Sequence, residues 1–329
     1  MMKKTVTALL LMLCVFAFCA AAHGEDVSLT VGGKTFTCAA NATEIDLGDV
    51  GVPNTDGDYS ALVSFLHKLP NLTKVDMFST DIPVARLDPL AGEFPQIRFG
   101  WTIIIPCKNK IRPDRPPHRI RTDDTAFSTS HNLSSMSHGS EVWETVLKYC
   151  PDLLALDIGH NNSIRDYSFL RHVPKLRVLI MSFNRNQRGE EGPPIDISVL
   201  GELKDLEFLE ICKSNIADIS PLANCTKLVD LNIGTSHIKD LSPLYGLKNL
   251  RRVFLFSAHN YSGKPYPKDK VAELQAQLPD CFIDNSHLNC GGSWRQTSHY
   301  KTLASMFSYQ LLDKPQAYEP FDDVPHDDD

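Results

Sequence analysis

Three side chains in the middle of the chain carry groups that attack or exchange protons: Asp157, His160 and Cys212. A thiol beside an imidazole can pair a nucleophile with its base, but only within about 2.6–3.2 Å. The strands expected to carry His160 and Cys212 are two rungs apart in one sheet, about 10 Å. That is too far for the pair, so these groups read as a polar, ligand-facing surface. Cys281 and Cys290, with His287 and His299 nearby, offer metal-ligating atoms, but their spacing matches no common zinc pattern. His326 to Asp329 reads as an acidic tail. The sequence holds no G-x-S-x-G elbow, no phosphate-cradling glycine loop and no H-E-x-x-H helix. The expectation is a protein with no catalytic residues, no metal and no cofactor.

The elements that position these groups repeat along the chain. Leu153, Leu156 and Ile158 set a pattern that recurs at Leu176, Leu179 and Met181, then at Leu206, Leu209 and Ile211. It continues at Leu228, Leu231 and Ile233 and at Leu250, Val253 and Leu255. The steps between first positions are 23, 30, 22 and 22 residues. Leu72, Val75 and Met77 fit the same template upstream, Ile97 to Thr102 more loosely, and Glu44 to Leu47 and Ala126 to Thr129 as irregular strands. A second motif runs in phase: Asp196-Ile197-Ser198-Val199-Leu200, Asp218-Ile219-Ser220-Pro221-Leu222 and Asp240-Leu241-Ser242-Pro243-Leu244. One such unit cannot bury its own apolar face, but stacked units share a continuous core. A polar residue three places after each strand (Thr80, Asn161, Asn184, Ser214, Ser236) can satisfy backbone groups buried in the turn.

Two in-phase motifs at a 22-residue step resemble the internalin-type leucine-rich repeats of bacterial surface and secreted proteins. The resemblance covers about residues 40 to 260, and several stretches are similar to leucine-rich-repeat proteins of gut Firmicutes. It implies an α/β solenoid: a horseshoe with a parallel concave β-sheet, short 3-10 or helical segments on the convex side, and a cap at each end. It also implies protein binding on the concave face and offers no catalytic residues. The register is lost between Ile105 and Ser140.

Around the repeats, residues 1–24 read as a secretory signal, with Lys3 and Lys4, an apolar run from Val6 to Ala22 and small residues at its end. Residues 25–50 read as an N-terminal cap with a hairpin at Gly32-Gly33. The solenoid is assigned to 51–261, with a basic, proline-rich loop inserted at 105–122. Residues 262–321 read as a C-terminal cap with a small helical appendage, and 322–329 as a disordered acidic tail. Loss of Lys3 and Lys4 with the signal takes the formal charge from −7 to −9, which argues against nucleic acid or an anionic membrane as partner.

Seven cysteines remain after cleavage. Cys150 and Cys225 fall in a repeat slot otherwise filled by leucine or valine and are expected to be buried. A disulfide between Cys281 and Cys290 suits an exported protein. Residues between the repeat leucines, and the second residue past each strand, should face the concave side: Asp157, His160, Ile180, Phe183, Phe208, Glu210, Lys213, Asn232, Arg252 and Phe254, with Phe256 beside them. Aromatic and arginine side chains exposed there would anchor a protein interface; the alternative is that the C-terminal appendage folds over Phe254 and Phe256 and hides them. The reading is a secreted, monomeric, non-catalytic module for a protein partner, a host protein among the candidates. The alternative is an envelope protein binding wall glycan or another surface protein.

Overall fold

The computed structural model describes residues 25–48, 50, 55–105, 117–129, 138–161, 163–183, 193–255, 266–285, 294 and 298–307. The expected signal, most of the basic loop, Phe256, Cys290, His287 and the acidic tail lie outside the described residues.

The chain opens on an antiparallel hairpin, β1 (Asp26–Val31) and β2 (Lys34–Ala39). Gly32 and Gly33 both have positive φ, 57° and 77°, as a two-residue turn matched to strand twist requires. Leu29 and Val31 point from it into the core. Helix α1 (Asp56–Leu66) starts at Thr55, whose hydroxyl accepts from the Asp58 N–H at 3.1 Å, and buries Leu62, Phe65 and Leu66. Strands β3 (Glu44–Asp46), β4 (Lys74–Pro83) and β5 (Arg98–Ile105) pair in parallel. Helix α2 (Val84–Glu93) lies between β4 and β5.

The loss of register after Ile105 has a structural cause. β6 (His118–Arg121) turns back antiparallel on β5 and closes a four-stranded sheet. The parallel ladder restarts at β7 (Ala126–Ser128). It runs through β8 (Ala155–Asp157), β9 (Val178–Ile180), β10 (Phe208–Glu210), β11 (Asp230–Asn232) and β12 (Arg252–Phe254) to β13 (Phe282–Asp284). The result is a leucine-rich-repeat solenoid whose sheet is interrupted once. Of the basic stretch, the described Arg119 binds Asp81 through Nε and Nη2, and Arg121 binds Asp123 in the same way. Both guanidinium groups are therefore held by carboxylates of the chain itself.

Helix α3 (Ser140–Leu147) precedes β8 and sets Trp143 against Phe127 of β7, and helix α4 (Lys268–Gln277) precedes β13. In the regular repeats the convex side is a 3-10 turn, starting at Ser168, Ser198, Ser220 and Ser242. The Asp-x-Ser motif builds each of them. Oδ1 of Asp166, Asp196, Asp218 and Asp240 accepts the N–H of the serine two residues on, at 2.8–2.9 Å. That satisfies a donor orphaned at the start of the turn. Proline follows in the last two, where a missing N–H costs nothing. The turn's leucine then enters the core: Leu170, Leu200, Leu222 and Leu244 are fully buried.

The leucines form one cluster running from Leu29 to Cys281. Ser214 and Ser236, buried in the turns, donate to carbonyls one repeat back, at Met181 (3.2 Å) and Ile211 (3.3 Å). Cys150 and Cys225 sit in the core, and burial pushes the Cys225 thiol up to about 11.

The interruption leaves a cleft of about 770 Å³ lined by Asp76, Phe78, Arg98, Trp101, Asp123 and Tyr149 among others. Beside it, Lys148 Nζ (2.8 Å) and the Tyr149 hydroxyl (2.6 Å) both donate to Asp88 of α2. The bond from Lys148, then that from Tyr149, holds the Asp88 carboxyl below its usual range. A carboxylate with a lowered folded-state pKa contributes stability above its unfolded value and loses it as pH falls through the folded one. The urea midpoint of the wild type should therefore fall on acidification below about pH 4. Asp88→Asn should lower the midpoint at pH 7 and flatten that acid limb, and an unchanged limb would remove this role.

Candidate binding surface

Alternation along the short strands sends their middle residues into the leucine core and their flanking residues to the opposite face. Register aligns those flanking residues in two rows. Ala155, Val178, Phe208, Asp230 and Arg252 form the first; Asp157, Ile180, Glu210, Asn232 and Phe254 form the second. The sequence placed these side chains on the right face, but their expected exposure is corrected. Phe208 and Phe254 are 1% exposed, Arg252 2%, Glu210 and Asn232 0%, Ile180 6% and Asp157 7%.

The cover is the chain's own C-terminal segment, Trp294 and helix α5 (Ser298–Met306). Trp294, Leu303, Met306 and Phe307 form a second apolar cluster with Ala126, Ala155, Val178, Ile180, Phe208, Cys212 and Phe254. The Trp294 ring packs against Phe208 (centroids 5.0 Å) and Phe254 (4.7 Å). Its Nε1–H donates to Glu210 Oε2 at 2.7 Å.

The same face buries an ion pair. Arg252 Nε and Nη2 donate to Asp230 Oδ1 and Oδ2 at 2.9 and 3.3 Å. Asn232 Oδ1 accepts the Gly234 N–H at 3.1 Å, as Asp157 Oδ1 accepts that of Gly159 at 3.0 Å. These two side chains therefore shape the turn that follows each strand. The Asn232 Nδ2 finds no acceptor among the described residues. Cys212, expected on this face as a thiol outside any disulfide, is so placed but buried, with its Sγ 3.7 Å from Glu210 Oε1.

A third row lies just past the strands and stays partly exposed: His160, Phe183, Lys213 and Thr235. All four adopt positive φ, 58°, 62°, 52° and 59°. In the first three this conformation lets the N–H reach a carbonyl of the next rung: His160 to Ser182, Phe183 to Cys212 and Lys213 to Gly234, at 2.8–3.0 Å. The row is thus fixed in place, and its side chains stack. The His160 and Phe183 rings lie 4.4 Å apart and nearly parallel, and Lys213 Nζ sits 4.6 Å from the Phe183 centroid.

A β-branched residue in the left-handed region is strained. Thr235→Gly should therefore raise stability by about 1 kcal/mol, read as a higher urea midpoint. A lower midpoint would show that the threonine side chain is needed there.

Of the expected Cys281–Cys290 bridge, only Cys281 lies among the described residues. Cys281 is a buried free thiol packed into the leucine core, and burial pushes it up to about 12. Its expected partner lies outside the described residues. No group of three metal-ligating side chains occurs among the described residues.

Two features of the surface went unread in the sequence. Asp230 and Arg252 stand 22 residues apart at the same phase, so adjacent rungs set them side by side. That pairing was available from the repeat alone. The seating of Trp294 on Glu210 follows no period.

No protein-family model matches the chain, and no curated protein does. Among solved structures, internalin C2 from Listeria monocytogenes is similar at 22% identity and TM-score 0.35, over 65% of this chain and 80% of that one. A leucine-rich-repeat protein of Leptospira interrogans is similar at 13% and 0.31, over 71% and 75%. TLR13, in a complex with ssRNA13, is similar at 15% and 0.30, over 66% of this chain and 26% of that one. The leucine-rich-repeat fold rests on the chain's own repeats and sheet.

Proposed function

We propose that the chain is a secreted, non-catalytic binding module for a protein partner. The observation that carries this reading is the His160–Phe183–Lys213 stack. It sets aromatic and cationic groups at the border of the sheet face, on backbone positions fixed by rung-to-rung hydrogen bonds. Rigid aromatic and charged anchors of this kind dominate protein interfaces. No helix among the described residues is long and apolar enough to cross a membrane.

The test is capture by cross-linking, with host-cell extract and producer-envelope extract in parallel. The bait is compared with a Phe183→Ala/Lys213→Ala variant of matched melting behaviour. A partner held by the wild type and reduced at least tenfold with the variant supports the reading. Capture that is equal for both chains removes the stack from the site.

A further inference from the structure

The C-terminal segment and the leucine core are held apart by the sheet. Among the described residues of that segment, the buried apolar side chains Trp294, Leu303, Met306 and Phe307 all belong to the second cluster and none to the leucine core. The segment can therefore leave without opening the core that folds the repeats.

The face beneath it is a poor place for a permanent seal. Glu210, Asp230 and Arg252 lose their water there, as does an Asn232 amide whose Nδ2 gains no acceptor among the described residues. Burying charges recovers little even when they are paired, and an unmet donor is a net cost. A sheet meant to be closed for good would carry apolar residues in those rows. Instead the polar groups give the face specificity. Phe208 and Phe254 grip an aromatic ring, Glu210 reads its N–H, and the apolar row from Ala126 to Ile180 takes the helix that follows.

We propose that this face is a receptor groove for an amphipathic helix of a partner protein that presents a tryptophan, and that the chain's own C-terminal segment is its exchangeable resident. This rests on the reading of the chain as a binding module and names both the partner's chemistry and what gates it. The partner meets the partly exposed His160–Phe183–Lys213 border first. It then replaces Trp294 with its own indole, keeping the bond to Glu210.

The probe is a fluorescent peptide of residues 291–309, titrated by anisotropy against the full chain. The wild type, with its resident seated, should bind it weakly. Trp294→Ala and, independently, Met306→Ala/Phe307→Ala weaken the resident at its two ends and should each bind it at least tenfold more tightly. Adding Glu210→Ala, or giving the peptide Ala for Trp, should abolish that gain. Circular dichroism and melting select the folded variants. Equal affinity for wild-type and weakened chains, or no binding to either, overturns the proposal. So does a wild-type dimer that the peptide dissolves, since that assigns the groove to a second copy. Peptide exchange without loss of capture at Phe183 and Lys213 would sink only the functional reading above. Capture without exchange would sink only the resident.

Discussion

Arg252→Ala should destabilise the chain by about 3–5 kcal/mol, the cost of leaving one charge of a buried pair without its partner. Asp230 is fully buried and takes both of its described side-chain hydrogen bonds from this guanidinium. Arg252→Lys should fall well short of rescue, because a point charge cannot reproduce a two-pronged contact. Asp230→Leu/Arg252→Met should recover most of the loss, since an apolar pair of similar volume needs no water replaced. Urea unfolding followed by circular dichroism gives all four values. A double variant as unstable as Arg252→Ala would show that the charges contribute more than their mutual compensation.

Trp143→Ala should cost a similar amount, about 3–5 kcal/mol. The indole is fully buried on α3 and lies between Phe127 of β7 and Phe169 of the next repeat, with centroids 6.4 and 6.3 Å away. It sits where the seven-stranded sheet begins, so no earlier hydrogen-bonded strand among the described residues supports β7 from the other side. The loss should appear as a lower midpoint, with the first rungs unfolding before the last. Hydrogen exchange of the β7 and β8 amides reads that order. A loss below about 1 kcal/mol would mean that the site collapses around the gap.

The repeat phase was legible because each rung meets only its neighbours, so a fixed step in sequence becomes a fixed step in space. Leucine positions, the Asp-x-Ser turns and the burial of Cys150 and Cys225 all follow from that rule. What escaped it obeys no period. Trp294 meets Glu210 across 84 residues, and nothing about either residue alone names the other. The exposure expected for Phe208 and Arg252 failed for that reason, whereas cover by the C-terminal appendage was the alternative reading for Phe254. The β5–β6 hairpin was visible only as lost register, because antiparallel pairing breaks the step. The row at His160, Phe183, Lys213 and Thr235 was read as central to the concave face, whereas it lies at the border, just past the strands. Its left-handed backbone was hidden, since three of the four residue types disfavour that conformation.

The seat of Trp294 also sets a limit on how this array can change over generations. Its ring touches Phe208 on β10 and Phe254 on β12, two rungs apart, a span of about 10 Å. Duplicating or deleting one 22-residue unit between them would leave the leucine core continuous, yet move one contact by about 5 Å. The indole would then miss a wall of its seat. Arrays of this architecture ordinarily lengthen and shorten by whole units; here the terminal tryptophan acts as a gauge block, and a lineage that keeps it keeps its repeat count between those two strands.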